Sequence, residues 1–135
     1  MGDLLTITFP GILRGKGRPR FGNGRTYTDA KTEAAETSLA AHALHQIGRP
    51  CLEGPLVLSI EVTVAVPASW PKRKRADALA HLLRPMGRPD LDNQAKLVAD
   101  ALNGIAWRDD AQLVGLEVRR RYGVTAETRI EVGTA

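Results

Sequence analysis

The 135-residue chain is poor in several things that would have pointed elsewhere. Aromatic residues make up 4% of it, too few for broad stacking platforms on single-stranded nucleic acid. A single cysteine, Cys51, excludes an intramolecular disulfide and any cysteine-based zinc cluster. No run approaches the roughly 20 apolar residues a membrane span requires. The N-terminal Met1-Gly2-Asp3 is acidic and leads straight into an alternating segment, unlike a signal peptide. Thr6 is the only feature supporting myristoylation at Gly2, which is discounted. No internal repeat or low-complexity tract is present. The expectation is a soluble cytoplasmic chain with no membrane association.

What is present is ordinary globular material: 43% hydrophobic and 25% charged residues. A chain of this length buries roughly two thirds of its unfolded surface and needs no staple. One domain spanning 1–135 is expected. Lys and Arg number 19 against 15 Asp and Glu, a net charge of +4 and a pI near 9.6. That charge permits a polyanionic partner without requiring one.

Alternation of apolar and polar residues predicts strands at 4–9, 56–66, 112–122 and 128–132. An apolar stripe at Ala35, Leu39, Ala43 and Ile47 predicts a helix from a cap at Thr28 or Asp29 to about Ile47. Leu91, Ala95, Val98, Leu102 and Ile105 predict another helix over 90–103, closed by Gly104. A short helix can form over 76–83. The last two strands read as a hairpin. The fold class is therefore α+β, a two-layer α/β arrangement in the order β-α-β-(α)-α-β-β. Its sheet should be mixed, with helices on one face. His42 and His45 lie three apart but have no third ligand nearby in sequence, so metal binding there is not expected.

Two segments are strongly basic. Arg14, Lys16, Arg18, Arg20 and Arg25 lie in a glycine-rich loop without an acid among them. Lys72, Arg73, Lys74, Arg75, Arg84 and Arg88 follow Trp70, with Asp77 the only acid. Like charges so concentrated repel unless an anion arrives, and phosphate backbones are the natural anion, although a solvated face is the plainer alternative.

Against this basic ground stand two acidic features. The first is Arg88-Pro89-Asp90-Leu91-Asp92-Asn93-Gln94-Ala95-Lys96. Its simplest account is structural: Asp90 caps the helix, Asp92 favours the positive helix end, and Lys96 pairs with Asp92 at i,i+4. The second is Trp107-Arg108-Asp109-Asp110-Ala111-Gln112, in the loop between that helix and the next strand. If the fold gathers these four carboxylates, they repel one another, and a hard divalent cation relieves that repulsion. Mg²⁺ or Mn²⁺ takes such oxygen ligands together with water and substrate phosphate. An acidic site in a basic surround fits a metal-dependent nuclease better than a simple DNA-binding module or a phosphotransferase working on small esters.

The pattern Pro89-Asp90-Leu91-Asp92-Asn93…Lys96…Asp100-Ala101-Leu102-Asn103-Gly104…Trp107…Asp109-Asp110-Ala111-Gln112 resembles the RusA family of Holliday junction resolvases. Residues 20–28 and 67–75 and the element order also look like phage and prophage members. The resemblance implies metal ligands at Asp90, Asp92 and Asp110, an essential cation at Lys96, and a less central role for Asp109. It implies a Mg²⁺-dependent endonuclease, with Mn²⁺ substituting and no organic cofactor, acting on four-way junctions in DNA recombination and repair. The cations at 14, 16, 18, 20, 25, 72–75 and 88 would then hold DNA. Gln94 departs from the family's usual leucine, and the basic insert at 68–88 is longer than in the shortest members. A homodimer is expected, because two opposed nicks need two active centres and because the 35–47 stripe and the 56–66 strand offer apolar surface for pairing.

Overall fold

A computed structural model describes residues 3–17, 20–22, 24–27 and 29–135. Arg18 and the candidate cap Thr28 lie outside the described residues, as do the side chains of Arg20 and Arg25.

Four strands form one mixed sheet: β1 (Asp3–Pro10), β4 (Leu56–Ala65), β5 (Leu113–Gly123) and β6 (Glu127–Thr134), in the order β1-β6-β4-β5. A separate short hairpin joins β2 (Arg20–Gly22) to β3 (Arg25–Tyr27). Three helices complete the fold: α1 (Ala30–Ile47), α2 (Lys72–Leu79) and α3 (Leu91–Ala101). This is the α+β class, with a mixed sheet, that the alternation and helical spacing imply.

β4 organises the sheet. It pairs antiparallel with β6 on one side and parallel with β5 on the other. Leu56, Leu58, Ile60 and Val62 point to the helical layer and are at most 1% exposed. Ile7, Ile130 and Val132 continue that face, which packs against Leu39 and Ala43 of α1, Leu97 and Val98 of α3, and Trp107. Each leucine, isoleucine and valine among these, fully buried, contributes about 1.5–3 kcal/mol. The opposite face is polar and crossed by ion pairs, among them Arg121–Glu61 at 2.9 Å and Arg129–Glu131 at 2.7 Å. Helices therefore cover one face only.

The structure corrects four expectations. β5 and β6 are not a hairpin: the three residues between them pass the end of β4, which lies between the two strands. Alternation specifies which way side chains point, not which strand is the neighbour. Residues 20–27 form a hairpin rather than continuous loop, since Gly24 at φ +75 supplies the turn. The helix placed at 76–83 occupies Lys72–Leu79 instead, starting after Pro71, a residue whose fixed φ suits a helix start. Finally, the 35–47 stripe is core. Leu39 and Ala43 are fully buried within the chain and Ala35 and Ile47 pack against them, and β4 is likewise covered, so neither remains as surface for a second copy.

α1 begins at Asp29, which accepts the Thr32 backbone N–H at 2.7 Å. Gln46 near its end exchanges two hydrogen bonds with Thr8, 2.8 and 2.7 Å, and so occupies the outer edge of β1. His42 sits edge-on to Phe9 with its Nδ1 2.9 Å from the Ser38 carbonyl, a packing role. Among the described residues, no helix is long and apolar enough to cross a membrane.

Candidate active site

Asp90 stands at the cap position of α3 with extended backbone, φ −64 and ψ 143, but its carboxylate makes no capping hydrogen bond. Half-exposed, it has Arg88 at 3.9 Å as its one ion-pair partner among the described residues. Two residues on, the expected Asp92–Lys96 pair is absent: both side chains are exposed, and among the described residues no ion pair joins them. Of the structural account, Asp92 does stand in the first turn of α3, but the cap bond and the helix pair are absent. Caps and helix pairs leave both carboxylates and the ammonium available.

Asp92 and Lys96 line a cleft of about 390 Å³ between α3 and β5, with Ala95, Ala99, Val114 and Leu116 as its apolar wall. Asp90 lies on the other side of α3, in a groove of about 520 Å³ shared with Arg14, Gly15, Arg88 and Asn93. The start of α3 thus divides two surface depressions, each carrying one carboxylate.

The second acidic feature sits at the opposite end of α3. Trp107 is wholly buried, its Nε1–H donating to Asn103 Oδ1 at 2.9 Å, and it anchors the turn that follows the helix. Gln112 then pins the loop. Its Nε2 donates to the carbonyls of Leu52 and Gly54, while its Oε1 accepts the N–H groups of Arg108 and Asp109. Residues Asp110–Gln112 form one 3₁₀ turn capped by Asp109. The adjacent aspartates are consequently unequal. Asp109 accepts the Ala111 N–H at 3.4 Å as a cap, whereas Asp110 has no such duty. Burial raises the Asp110 pKa above the usual carboxylate value, and the charges of Asp109 and Asp100 raise it further.

Among the described residues, no three His, Cys, Asp or Glu side chains converge closely enough to hold a metal ion. Asp90 and Asp92 share one end of α3; Asp110 groups instead with Asp100 and Asp109.

Of the cations expected to hold DNA, Arg14, Lys72, Arg73, Lys74, Arg75 and Arg88 are exposed. Lys74 Nζ lies 3.9 Å over the Trp70 ring, which in turn packs edge-on against Tyr122 of β5. Lys16 differs from the rest. It is largely buried, with its ammonium on Asp100 and 3.2 Å from Glu36. Burial opposes its charge, but hydrogen bonds and Coulomb attraction from those two carboxylates outweigh it and raise its pKa above the usual lysine value.

Arg120 was missed in the sequence. It donates to the carbonyls of Gly87, at 2.9 Å, and Pro89, and so holds the segment leading into Asp90. Its signal was parity: it falls on the same face of β5 as Leu116 and Val118, an arginine where the alternation calls for an apolar residue.

The family model for the endodeoxyribonuclease RusA matches residues 10–133, nearly the whole chain and both acidic features. The chain belongs to the RusA endodeoxyribonuclease family. A protein named only as uncharacterized, YqaN of Bacillus subtilis (strain 168), is 34% identical over 136 residues, covering 96% of this chain and 94% of that protein. RusA membership carries Holliday junction resolvase endonuclease activity as the family's function. Gln94, the departure from the family's usual leucine, is fully buried: its Nε2 donates to the Leu13 carbonyl at 2.7 Å, tying the 11–17 loop to α3, while its Oε1 has no hydrogen-bond partner among the described residues.

Proposed function

We propose that this RusA-family domain, a single unit over 1–135, resolves four-way DNA junctions by Mg²⁺-dependent hydrolysis, in recombination and repair within the cytoplasm. The observation that carries the reading is the state of the acidic motif on α3. Asp90 sits at a cap position without capping, and Asp92 and Lys96 lie one turn apart without pairing. Side chains held open to solvent at a helix start in this way suit ligands from outside the chain.

The donor set is all carboxylate oxygen, which suits a hard divalent cation, Mg²⁺ with Mn²⁺ substituting. Asp90, Asp92 and Asp110 would hold it only if the acidic loop moved toward the start of α3, since the three do not converge among the described residues, and a bound cation would relieve the charge that Asp100 and Asp109 impose on Asp110. When bound, such a cation neutralises phosphate charge and lowers the pKa of its water. Lys96, on the Asp92 side of the helix, places positive charge where a phosphoryl group gains negative charge or orients the attacking water. Asp109, engaged as a cap, serves the loop rather than the reaction. The exposed cations Arg14, Lys72, Arg73, Lys74, Arg75 and Arg88, together with Arg18, Arg20 and Arg25, hold phosphate backbones, contacts that position DNA without reading sequence. A junction of near two-fold symmetry needs two nicks, so two copies of the chain act together as a homodimer.

The test is cleavage of a labelled synthetic junction with and without Mg²⁺. Asp90→Asn, Asp92→Asn and Asp110→Asn are expected to abolish cleavage while junction binding persists or strengthens, because each removes negative charge near phosphates. Asp109→Asn is expected to cleave. Metal-independent cleavage, or an inactive Asp109→Asn beside an active Asp110→Asn, would overturn the assignment.

A further inference from the structure

Exposed apolar side chains are ordinary when scattered singly over a surface. Those that follow α2 are gathered. Leu79, Leu82 and Met86 are 43%, 73% and 93% exposed within the span 79–86. From 82 to 86 the exposure alternates: Leu82, Arg84 and Met86 are exposed, while Leu83 and Pro85 are half-buried. The alternation sends two apolar groups outward with a cation between them. The backbone beneath is fastened at both ends. His81 and Leu82 donate their N–H groups to the carbonyls of Ala78 and Asp77, at 3.1 and 3.0 Å. At the far end Arg120 of β5 donates to the carbonyls of Gly87, at 2.9 Å, and Pro89. The tip is held out on a fixed base, so offering it to a ligand costs little ordering.

Charge says what covers it. Lys72, Arg73, Lys74, Arg75, Arg84 and Arg88 surround the tip in sequence, with Asp77 the only acid over 72–88. A surface apolar at its tip and cationic around it suits a polyanion that also offers apolar faces. Continuous duplex is a poor match, because its base-pair faces are stacked against one another. Those faces open where stacking is interrupted, as at the branch point of a four-way junction, and leucine and methionine are among the side chains that wedge against them. Phosphate contacts hold duplex arms and junction arms alike, so they cannot by themselves select a branch.

We infer that Leu82 and Met86 form an apolar tip that packs on base-pair faces at the branch point and gives the chain its preference for branched over linear DNA. This rests on the proposed junction-resolving function and assigns its substrate selectivity to side chains outside the acidic motif. Arg84, between the two, takes a phosphate beside the branch. The segment runs on through Arg88 and Pro89 into Asp90, so a seated tip brings the branch to the start of α3.

The experiment measures binding of the full chain, in chelator, to a synthetic four-way junction and to a linear duplex of the same arm sequence. Leu82→Ser/Met86→Ser changes two exposed positions and so leaves the fold intact. It is expected to weaken junction binding by roughly tenfold or more, the scale of burying such side chains. Duplex binding and the salt dependence of junction binding should not change, because no phosphate contact is lost. A 2-aminopurine at the branch point, whose fluorescence reports stacking, should respond to wild type and not to the double variant. Leu82→Met/Met86→Leu, which keeps the apolar volume, should bind as wild type does. Unchanged junction affinity in the double serine variant overturns the inference, and so does equal weakening on junction and duplex. Sedimentation with anionic phospholipid vesicles that depends on Leu82 and Met86, beside junction binding that does not, would make the tip a membrane contact and overturn it too. A wild-type chain that binds junction no more tightly than duplex would instead overturn the proposed function, a result visible before any variant is compared.

Discussion

Gly15 lies where the 11–17 loop crosses α3, and replacing it with alanine tests whether that crossing is as close as it looks. An added Cβ would stand 2.8 Å from the Asn93 Cβ and 3.4 Å from the Pro89 Cβ. The first distance is shorter than carbon atoms tolerate, and Asn93 Cβ is fixed to a helix backbone, so the loop must lift. Overpacking of this kind costs about 1–3 kcal/mol. Lifting also strains the Lys16 N–H bond to the Asn93 carbonyl, 3.0 Å long, worth about 1 kcal/mol. Stiffening of the unfolded chain by Gly→Ala returns about 0.4–1 kcal/mol. The net loss is about 2 kcal/mol. For a chain of this size each kcal/mol moves the melting temperature by about 3–5 °C, so Gly15→Ala should melt about 6–10 °C below wild type. Scanning calorimetry or a thermal circular dichroism melt measures it. Because the groove beneath the loop also carries Asp90, junction cleavage at a temperature where both proteins are folded should fall as well. A Gly15→Ala protein melting within about 2 °C of wild type would refute the close crossing and, with it, the account of how the loop brings Lys16 to α3.

Asp110 carries a raised pKa in the folded state, so its charged form is a penalty to the metal-free fold, present at neutral pH and relieved as pH falls through that raised value. Asp110→Asn should therefore melt above wild type in chelator at about pH 7, with the gap closing toward about pH 4; a gap that widens on acidification would contradict the assigned cause. On α2, neutralising Lys72 and Arg73, both exposed and without an ion-pair partner among the described residues, should flatten the salt dependence of junction binding by roughly 0.9 in slope per lost contact, and an unchanged slope would return them to simple solvation.

The parts of the fold that were legible are those in which one face is buried. Leu56, Leu58, Ile60 and Val62 alternate because one side of β4 meets helices, and Leu91, Ala95 and Val98 recur because one side of α3 meets the sheet. The start of α2 was illegible for the converse reason: Lys72 to Arg75 are all exposed, so burial left no period to read. Strand order was hidden too, since β5 and β6 have similar alternation whether they pair with each other or with β4. At the site, the spacing of Asp90, Asp92 and Asp110 was readable as a motif. Lys16 was not, because its partners Glu36 and Asp100 lie far away in sequence, the latter by 84 residues, and nothing local distinguishes it from the cations around it. Arg120 was legible in principle, as a charge on an apolar parity, but its recipients are backbone carbonyls, which carry no sequence signature.

The place of β6 between β1 and β4 bears on how the molecule comes together. Both of its neighbours precede it in the chain, β1 by more than a hundred residues, as the pairing of Ile7 with Ile130 makes plain. Until β6 arrives, β1 and β4 have no strand between them, and each presents a bare row of amides and carbonyls to whatever is near. Closure therefore waits on contacts of long sequence separation, which are slow to form. During that interval the apolar row Leu58-Ile60-Val62 is an open template for a strand from another molecule. Recombinant yield should consequently respond more to substitutions that delay β6, such as charges at Ile130 or Val132, than to equal losses of stability at the rim of the sheet.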